Sequence, residues 1–301
     1  MFDRVVVVDW SAKSTPARGE DSIWIAVVDV DDDGGMASEN VPTRSAAIDR
    51  IAALVGDGGA ARTLVGIDAS LGYPAGTAAA LGCSGVPWEA TWALLEHEIV
   101  DDDRNRNNRF EVAARLNKRQ WGQTPLSLLD PVPGPFWGCP AGMAGAHLAP
   151  TKPASFGALG EWRHTETVLR EAGARPFSVW QLLGAGAVGG QTMVAIPWLS
   201  ELRRRHGPLD VWPFTTGLRP PEVASGGVVL AEVWPSMFPV ALGAPRDRVQ
   251  VEATAARLAA ADRTGELRDW FSPPVTSAQR DVVEREEGWV LGAGVVGAVV
   301  E

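Results

Sequence analysis

Three acidic residues each follow a short apolar segment of the chain: Asp9 follows four valines, Asp68 follows LVGI, and Glu232 follows VVLA. Apolar runs of this kind are typical of central strands that are covered on both faces of a sheet. Ligands of open α/β sheets collect at the carboxyl ends of such strands. If the three strands are neighbours, we expect the three carboxylates to meet at one edge of the sheet.

A cluster of carboxylates needs a compensating charge. Two like charges about 4 Å apart repel each other by about 4 kcal/mol at an effective dielectric constant near 20. Mg²⁺ or Mn²⁺ held by two or three carboxylates is the usual compensation, and it is suited to phosphoryl chemistry. The pattern therefore predicts Asp9, Asp68 and Glu232 as metal ligands and catalytic residues. The alternative is that each acid only caps the turn that follows its strand.

A basic segment, RNRNNRFEVAARLNKRQ at 104–120, contains six cationic residues and one acid. It predicts binding of a phosphate-bearing substrate by Arg109, Arg115 and Lys118, and Lys13 is a fourth candidate because it lies four residues after Asp9. The alternative is a solvated helix face that pairs with the acids at 101–103. The predicted partner is a nucleic acid or a phosphate-bearing small molecule.

The elements that must position these residues are those of an α/β fold. Strands are predicted at 5–8 and 23–30, with a helix from 43 to about 55. Asp68 and Glu232 are separated by far more than the dozen residues that a plain crossover helix needs. We therefore predict a core domain of residues 1–75 and 177–301, interrupted by an inserted helical and loop subdomain at 76–176. The insertion is rich in Trp, Pro and Gly.

Composition limits the class of protein. The chain has 301 residues, 46% of them hydrophobic and 21% charged, which is typical of a folded globular protein. A formal charge of −10 disfavours broad, non-specific adhesion to nucleic acid. No apolar run is long enough for a membrane span, and the N-terminus lacks the pattern of a signal peptide. We expect a cytoplasmic protein without a membrane partner.

Three weaker signals compete with the acidic site. GAGAVGG at 184–190 contains the GxGxxG pattern of dinucleotide-binding loops, but the acid that should end the following strand is missing. The preferred interpretation is a tight loop that allows close backbone approach, or a helix N-terminus that faces a phosphate. Cys139 and the four histidines lack the spacing of a nucleophile with its base or of a zinc site.

Five motifs together resemble one known family: VDWSAKSTP with DSIWIA, GIDASLGYP, VWQLLGAGAVGGQ, AEVWPS and EEGWVLG. The chain looks like a member of the predicted-nuclease family called domain of unknown function 429, which is assigned to the ribonuclease H-like fold. The resemblance implies a mixed five-stranded sheet with a first hairpin, flanking helices and acids at the strand ends. By motif, Asp9, Asp68 and Glu232 take the positions of metal ligands.

The resemblance also implies a fourth acid from a C-terminal helix. Glu287 is our prediction for it, and the other candidates are Asp281, Glu284, Glu286 and, further upstream, Asp247. The function that follows is that of a metal-dependent nuclease or phosphodiester hydrolase. Two alternatives are a nucleotide-dependent phosphotransferase similar to the actin-like relatives of this fold, and a non-catalytic binding module.

Overall fold

The structure is a computed structural model, and it describes residues 1–31, 35–56, 60–121, 134–184, 186–207, 209–238, 240 and 243–297, with only the backbone of 120 and 121. Residues 122–133 of the predicted insertion lie outside the described residues. Within the described part, no helix has the length and apolar character needed to cross a membrane.

The protein is an α/β fold built on one mixed sheet of six strands. The strands are β1 Arg4–Asp9, β2 Ile23–Asp29, β3 Met36–Val41, β4 Thr63–Asp68, β5 Leu209–Val211 and β6 Val228–Glu232. Their order across the sheet is β3-β2-β1-β4-β6-β5. The first three strands are antiparallel, whereas β1, β4, β6 and β5 run parallel.

Helices cover both faces of this sheet. The described helices are α1 Arg44–Gly56, α2 Thr77–Ala80, α3 Pro87–Glu98, α4 Arg109–Trp121, α5 His164–Glu171, α6 Val188–His206, α7 Arg246–Thr264, α8 Leu267–Trp270 and α9 Ser277–Val282. Short 3₁₀ turns lie at Ala141–Met143, Gly157–Leu159 and Pro235–Met237, and a π-helical turn at Val283–Glu287 follows α9.

The alternation of side chains along β1 divides the core into two layers. Val6 and Val8 pack in one layer with α1 and α6, and apolar residues of the 76–176 segment belong to the same layer. Val5 and Val7 pack in the other layer with α7. Because successive strand residues point to opposite faces, the layer of each strand-end acid is fixed by the register of its strand.

The sheet has six strands, so the prediction of five was wrong in number. The sixth is β3, an edge strand of sequence MASENV whose first residues are exposed. Edge strands need no apolar run, because only one side is paired and their side chains face water. Its polar composition therefore hid it, whereas the buried valines of β1 are clear in the sequence.

Candidate active site

Asp9 and Asp68 lie side by side at the carboxyl ends of two parallel strands. They are direct register partners in the β1–β4 pair, and both point towards the layer that contains α7. Both side chains are partly exposed. Among the residues that the structure describes, none donates a hydrogen bond to either carboxylate or forms an ion pair with it. Two adjacent acids are thus available to a ligand.

When no cation is bound, burial and the neighbouring negative charges favour the protonated, uncharged forms of Asp9 and Asp68. Burial, together with the charges of Asp68, Asp247 and Asp21, raises the pKa of Asp9 well above its ordinary value. Burial raises the pKa of Asp68 to about 7, with further contributions from Glu232 and Asp247. Near neutral pH the pair therefore holds a proton that a bound cation would displace.

This arrangement predicts how stability depends on pH. A carboxyl whose pKa is raised in the folded state binds more protons there than in the unfolded chain, so its contribution to stability is lost as pH rises. We expect Asp68→Asn to be more stable than the wild-type protein at about pH 8 in EDTA, by on the order of 2 kcal/mol after solvent screening. The difference should shrink towards about pH 4.

Urea unfolding across this pH range measures the effect. Asp281→Asn is the matched control, because Asp281 is exposed on α9 and lies 3.9 Å from Arg285. The difference in unfolding free energy between Asp281→Asn and the wild type should not change with pH in the same way. A constant difference for Asp68→Asn would show that the Asp68 carboxyl titrates normally.

Asp247 is the C-terminal acid that lies near this pair. It occupies the first turn of α7, which packs across β1 and β2. The backbone N–H of Asp21 donates to its carboxylate at 2.6 Å, and burial raises its pKa. Its charge acts on both Asp9 and Asp68. The Asp247 carboxylate makes the electrostatic potential at the end of the sheet more negative.

Two adjoining cavities open at these acids. The larger, of about 700 Å³, is lined by Asp9 and Asp247, and the smaller, of about 170 Å³, is lined by Asp68 and Glu232. Gly186 and Gln191 border both cavities. A ligand that fills the larger cavity therefore lies next to the acid pair.

The loop that follows Asp9 is held by a buried arginine of α1. Arg44 donates to the carbonyl oxygens of Ser11 at 2.8 Å and Lys13 at 2.9 Å. Its other donors reach Asp101 and Asn105. The amide of Gln191 also donates to the carbonyl of Trp10, at 2.5 Å. This wall of the larger cavity is rigid before any ligand binds.

Glu232 borders the smaller cavity with Asp68 and acts on it through its charge, but its own carboxylate is bound by an arginine. Its register partner on β4 is Ile67, one residue before Asp68, so its side chain points to the opposite face. There both carboxylate oxygens accept hydrogen bonds from Arg163, at 2.6 and 2.8 Å. One of them also accepts from the N–H of Leu71 at 3.1 Å. Glu232 thus anchors the loop after Asp68.

Arg163 is the charged residue that sequence reasoning missed. Its guanidinium is fully buried and binds Glu232, Glu166, the carbonyl of Glu287 and the hydroxyl of Ser70. Burial alone would lower the pKa of Arg163, but the two carboxylates raise it well above its ordinary value. No spacing in EWRHTE signals burial, since a solvated arginine has the same sequence.

Glu287 also lies away from the pair, contrary to its predicted role as the fourth acid. It is buried and accepts from the N–H groups of Ala75 and His164, at 2.9 and 2.8 Å. The ring Nδ1 of His164 lies 2.6 Å from the same carboxylate. These contacts tie the π-helical turn to the loop before α2 and to the start of α5.

The other C-terminal candidates are engaged elsewhere too. Glu286 accepts from the N–H groups of Gly76 and Ala78 at the start of α2. Glu284 accepts from the N–H of Leu218. Asp281 is exposed beside Arg285. Of the five acids considered for this position, Asp247 alone lines a cavity with Asp9.

Two of the four predicted substrate-binding residues line the larger cavity. Arg109 is buried, donates to Ser14 and Asn107 through Nη1, and stacks over Phe110 at 4.2 Å. Burial, followed by the charge of Arg44, lowers the pKa of Arg109 to about 10. Lys13 is exposed, donates to the carbonyl of Glu20 and lies 3.7 Å from Asp21.

The other cationic residues of the basic segment do not line either cavity. Arg115 and Arg119 both pair with Glu98, at 2.8 and 2.6 Å. Arg106 pairs with Asp102. Lys118 is exposed on α4 and does not line either cavity. These residues fit the alternative of a solvated helix face.

The glycine motif has a packing explanation. A Cβ on Gly189 would lie 2.1 Å from the carbonyl oxygen of Val179, and one on Gly190 would lie 2.7 Å from that of Leu182. Only glycine allows the start of α6 to approach the 179–182 segment this closely. Cys139 is buried, and its thiol lies 4.0 Å from the carbonyl of Leu148.

Within the described ranges, no group of three or more His, Cys, Asp and Glu side chains is arranged to hold a metal ion. Asp9 and Asp68 are the two acids that this edge of the sheet brings side by side. Comparisons with protein-family models, with curated proteins and with solved structures found no match.

Proposed function

We propose that the protein is a divalent-metal-dependent phosphodiester hydrolase of the ribonuclease H-like fold, with Asp9 and Asp68 as the metal ligands. The observation that carries this proposal is the pair itself. Two partly exposed carboxylates are register neighbours at the ends of parallel strands, and no described donor or cation neutralises them. Such a pair is unfavourable unless a proton or a cation is bound.

Two carboxylates are enough for the cation in question. Mg²⁺ is commonly held by one or two carboxylates, with water and substrate phosphate oxygens completing its six positions. Both acids border open cavities, which leaves space for those other ligands. The donor set of oxygen atoms alone also matches the preference of Mg²⁺ and Mn²⁺. When bound, the cation would neutralise phosphate charge and make water a stronger nucleophile.

The topology supports the fold assignment. The resemblance implies a first hairpin, parallel neighbours of the first strand and acids at strand ends, and β1–β2, β1–β4 and Asp9–Asp68 match those features. The order β3-β2-β1-β4-β6-β5 places β1 and β4 at the centre of the sheet. Central strands are the most rigid support for a site, because both of their edges are hydrogen-bonded.

The protein's own groups have separate tasks in this reaction. Hydrolysis joins a water oxygen to phosphorus and breaks one ester P–O bond, which yields a phosphomonoester and an alcohol. Arg109 and Lys13 bind phosphate oxygens and offset the charge that gathers there. Asp9 and Asp68 would hold the cation as carboxylates, and the proton that the pair holds without it would be released. Asp247 strengthens the attraction of this edge for a cation through its charge.

We expect Mn²⁺ to stabilise the wild-type protein by mass action. At 100 times its dissociation constant the gain is about 2.7 kcal/mol, which corresponds to a rise in Tm of roughly 5–10 °C. Thermal unfolding with Mn²⁺, with Ca²⁺, with ATP in EDTA and with ATP plus Mn²⁺ measures it, alongside hydrolysis of bis(p-nitrophenyl) phosphate. Asp9→Asn should lose the Mn²⁺ shift.

The same measurement separates the alternatives. A shift that appears only with ATP and metal together would favour a phosphotransferase over a hydrolase. An equal Mn²⁺ shift in wild-type and Asp9→Asn proteins would place the cation elsewhere and contradict the proposal.

A further inference from the structure

The larger cavity contains a buried arginine that forms no ion pair with a described acid, and the charges of Asp101 and Glu111 act on it only at longer range. Arg109 is 6% exposed, yet it forms no ion pair with any acid in the described part of the chain. Its two described side-chain hydrogen bonds, to Ser14 and Asn107, use Nη1 alone. Its buried Nε has no hydrogen-bond partner among the described residues. Burial of a charged group without a counter-ion is costly, so the cation needs an explanation.

The position of Arg109 supplies that explanation. It lines the 700 Å³ cavity together with Lys13 and Asp9. Arg44, the nearest buried arginine, is bound bidentately by Asp101 and is therefore already neutralised. Arg109 and Lys13 are thus the two cations that face the cavity, and an anion bound between them and Asp9 would supply the missing counter-charge.

The surroundings set a limit on the size of that anion. The cavity has the volume of a small-molecule site, which is typically about 300–1,000 Å³. Asp21 and Asp247 also border it, so its walls repel additional negative charge. On α4, Arg115 and Arg119 both pair with Glu98 outside the cavity. A polynucleotide needs a series of cations along its backbone, whereas among the described residues the cations that line this cavity are Lys13 and Arg109.

We infer that the substrate is a small phosphoester of about nucleotide or dinucleotide size, anchored through its phosphate by Arg109 and Lys13, and not a long nucleic acid strand. The inference rests on the proposed function, because it assigns the substrate of the same Asp9–Asp68 site. It adds the substrate class and the two residues that select it.

The test uses binding without turnover. The full chain carrying Asp68→Asn is titrated in EDTA with 5′-phosphorylated dithymidine and with a 20-residue oligothymidylate. We expect the two affinities, each expressed per dinucleotide site, to agree within about threefold, because both probes present the same phosphates to two cations. Loss of a charge-assisted hydrogen bond in Arg109→Met should weaken dithymidine binding by about tenfold or more.

Arg115→Met is the matched control, because Arg115 carries the same side chain on the same helix but pairs with Glu98 outside the cavity. The affinity of the Arg115→Met variant for dithymidine should stay within about twofold of that of the Asp68→Asn parent. Lys13→Met is a second variant whose exposed position leaves the fold intact, and it should weaken dithymidine binding by about threefold or more.

Two outcomes would overturn the inference. One is much tighter binding of the oligothymidylate with a steep salt dependence that Arg115→Met reduces, which would indicate a nucleic acid surface on α4. The other is no binding of either probe in any variant. Neither outcome affects the Mn²⁺ shift, so failure of this inference is distinguishable from failure of the proposed hydrolase.

Discussion

Asp9→Asn is expected to reduce Mn²⁺-dependent hydrolysis of bis(p-nitrophenyl) phosphate by about a hundredfold or more. A bound cation contributes several kcal/mol to stabilising the transition state, and each 1.36 kcal/mol corresponds to a factor of ten in rate. Asparagine keeps the size of the side chain and removes its charge, so the cavity beside Asp9 keeps its shape. The variant should also be at least as stable as the wild type in EDTA, since it removes one member of a repelling pair.

The combination of lost activity and retained stability is the informative result. A residue that only supports the fold loses both together when it is replaced. Asp281→Asn is the control for the change from Asp to Asn. Asp281 is exposed, and its ion-pair partner is Arg285, which is not at this edge of the sheet. Activity of Asp9→Asn within about threefold of the wild type would remove Asp9 from the site, whatever its position.

Asp247→Asn should have a smaller effect than Asp9→Asn. Its carboxylate is held by the N–H of Asp21 and acts on the pair through its charge. We therefore read Asp247 as a residue that tunes cation affinity. This ranking follows from contacts that no spacing in the sequence encodes.

The sequence predicts the positions of Asp9 and Asp68 well and that of Glu232 poorly. One physical reason explains the difference. Buried strands are apolar on both faces, so LVGI and VVLA do not reveal which side chains share a layer. Glu232 is in register with Ile67, one residue before Asp68. This offset of one residue places the side chain of Glu232 on the opposite face of the sheet from Asp68. Register is a property of the assembled sheet.

The basic segment is a second example of the same limit. The sequence does not show which cations of α4 meet an acid. Glu98, at the end of α3, pairs with both Arg115 and Arg119, whereas Arg109 lies about two to three turns earlier and lines the larger cavity. Pairing across helices depends on their packing, and packing is decided by the whole core.

The cluster around Arg163 gives Glu232 a structural role. One guanidinium, fully buried, compensates two buried carboxylates, Glu166 and Glu232, and these contacts join α5, β6 and the loop after Asp68. A buried ion pair adds little stability relative to an apolar core of equal volume. Removal of one partner is nevertheless severe, because the remaining charge stays buried.

Arg163→Met is therefore expected to destabilise the protein by about 3–5 kcal/mol, which lowers Tm by roughly 10 °C or more. Addition of Glu166→Gln and Glu232→Gln to that variant should recover part of the loss, because the uncompensated charges are then gone. Arg115→Met, which breaks an exposed pair, should change Tm by less than about 2 °C. Glu232→Gln alone should lower stability but keep the full Mn²⁺ shift, whereas a metal ligand would lose it. A Tm for Arg163→Met within about 2 °C of the wild type would show that the cluster is open to solvent. Glu232 would then again be a candidate ligand for the cation.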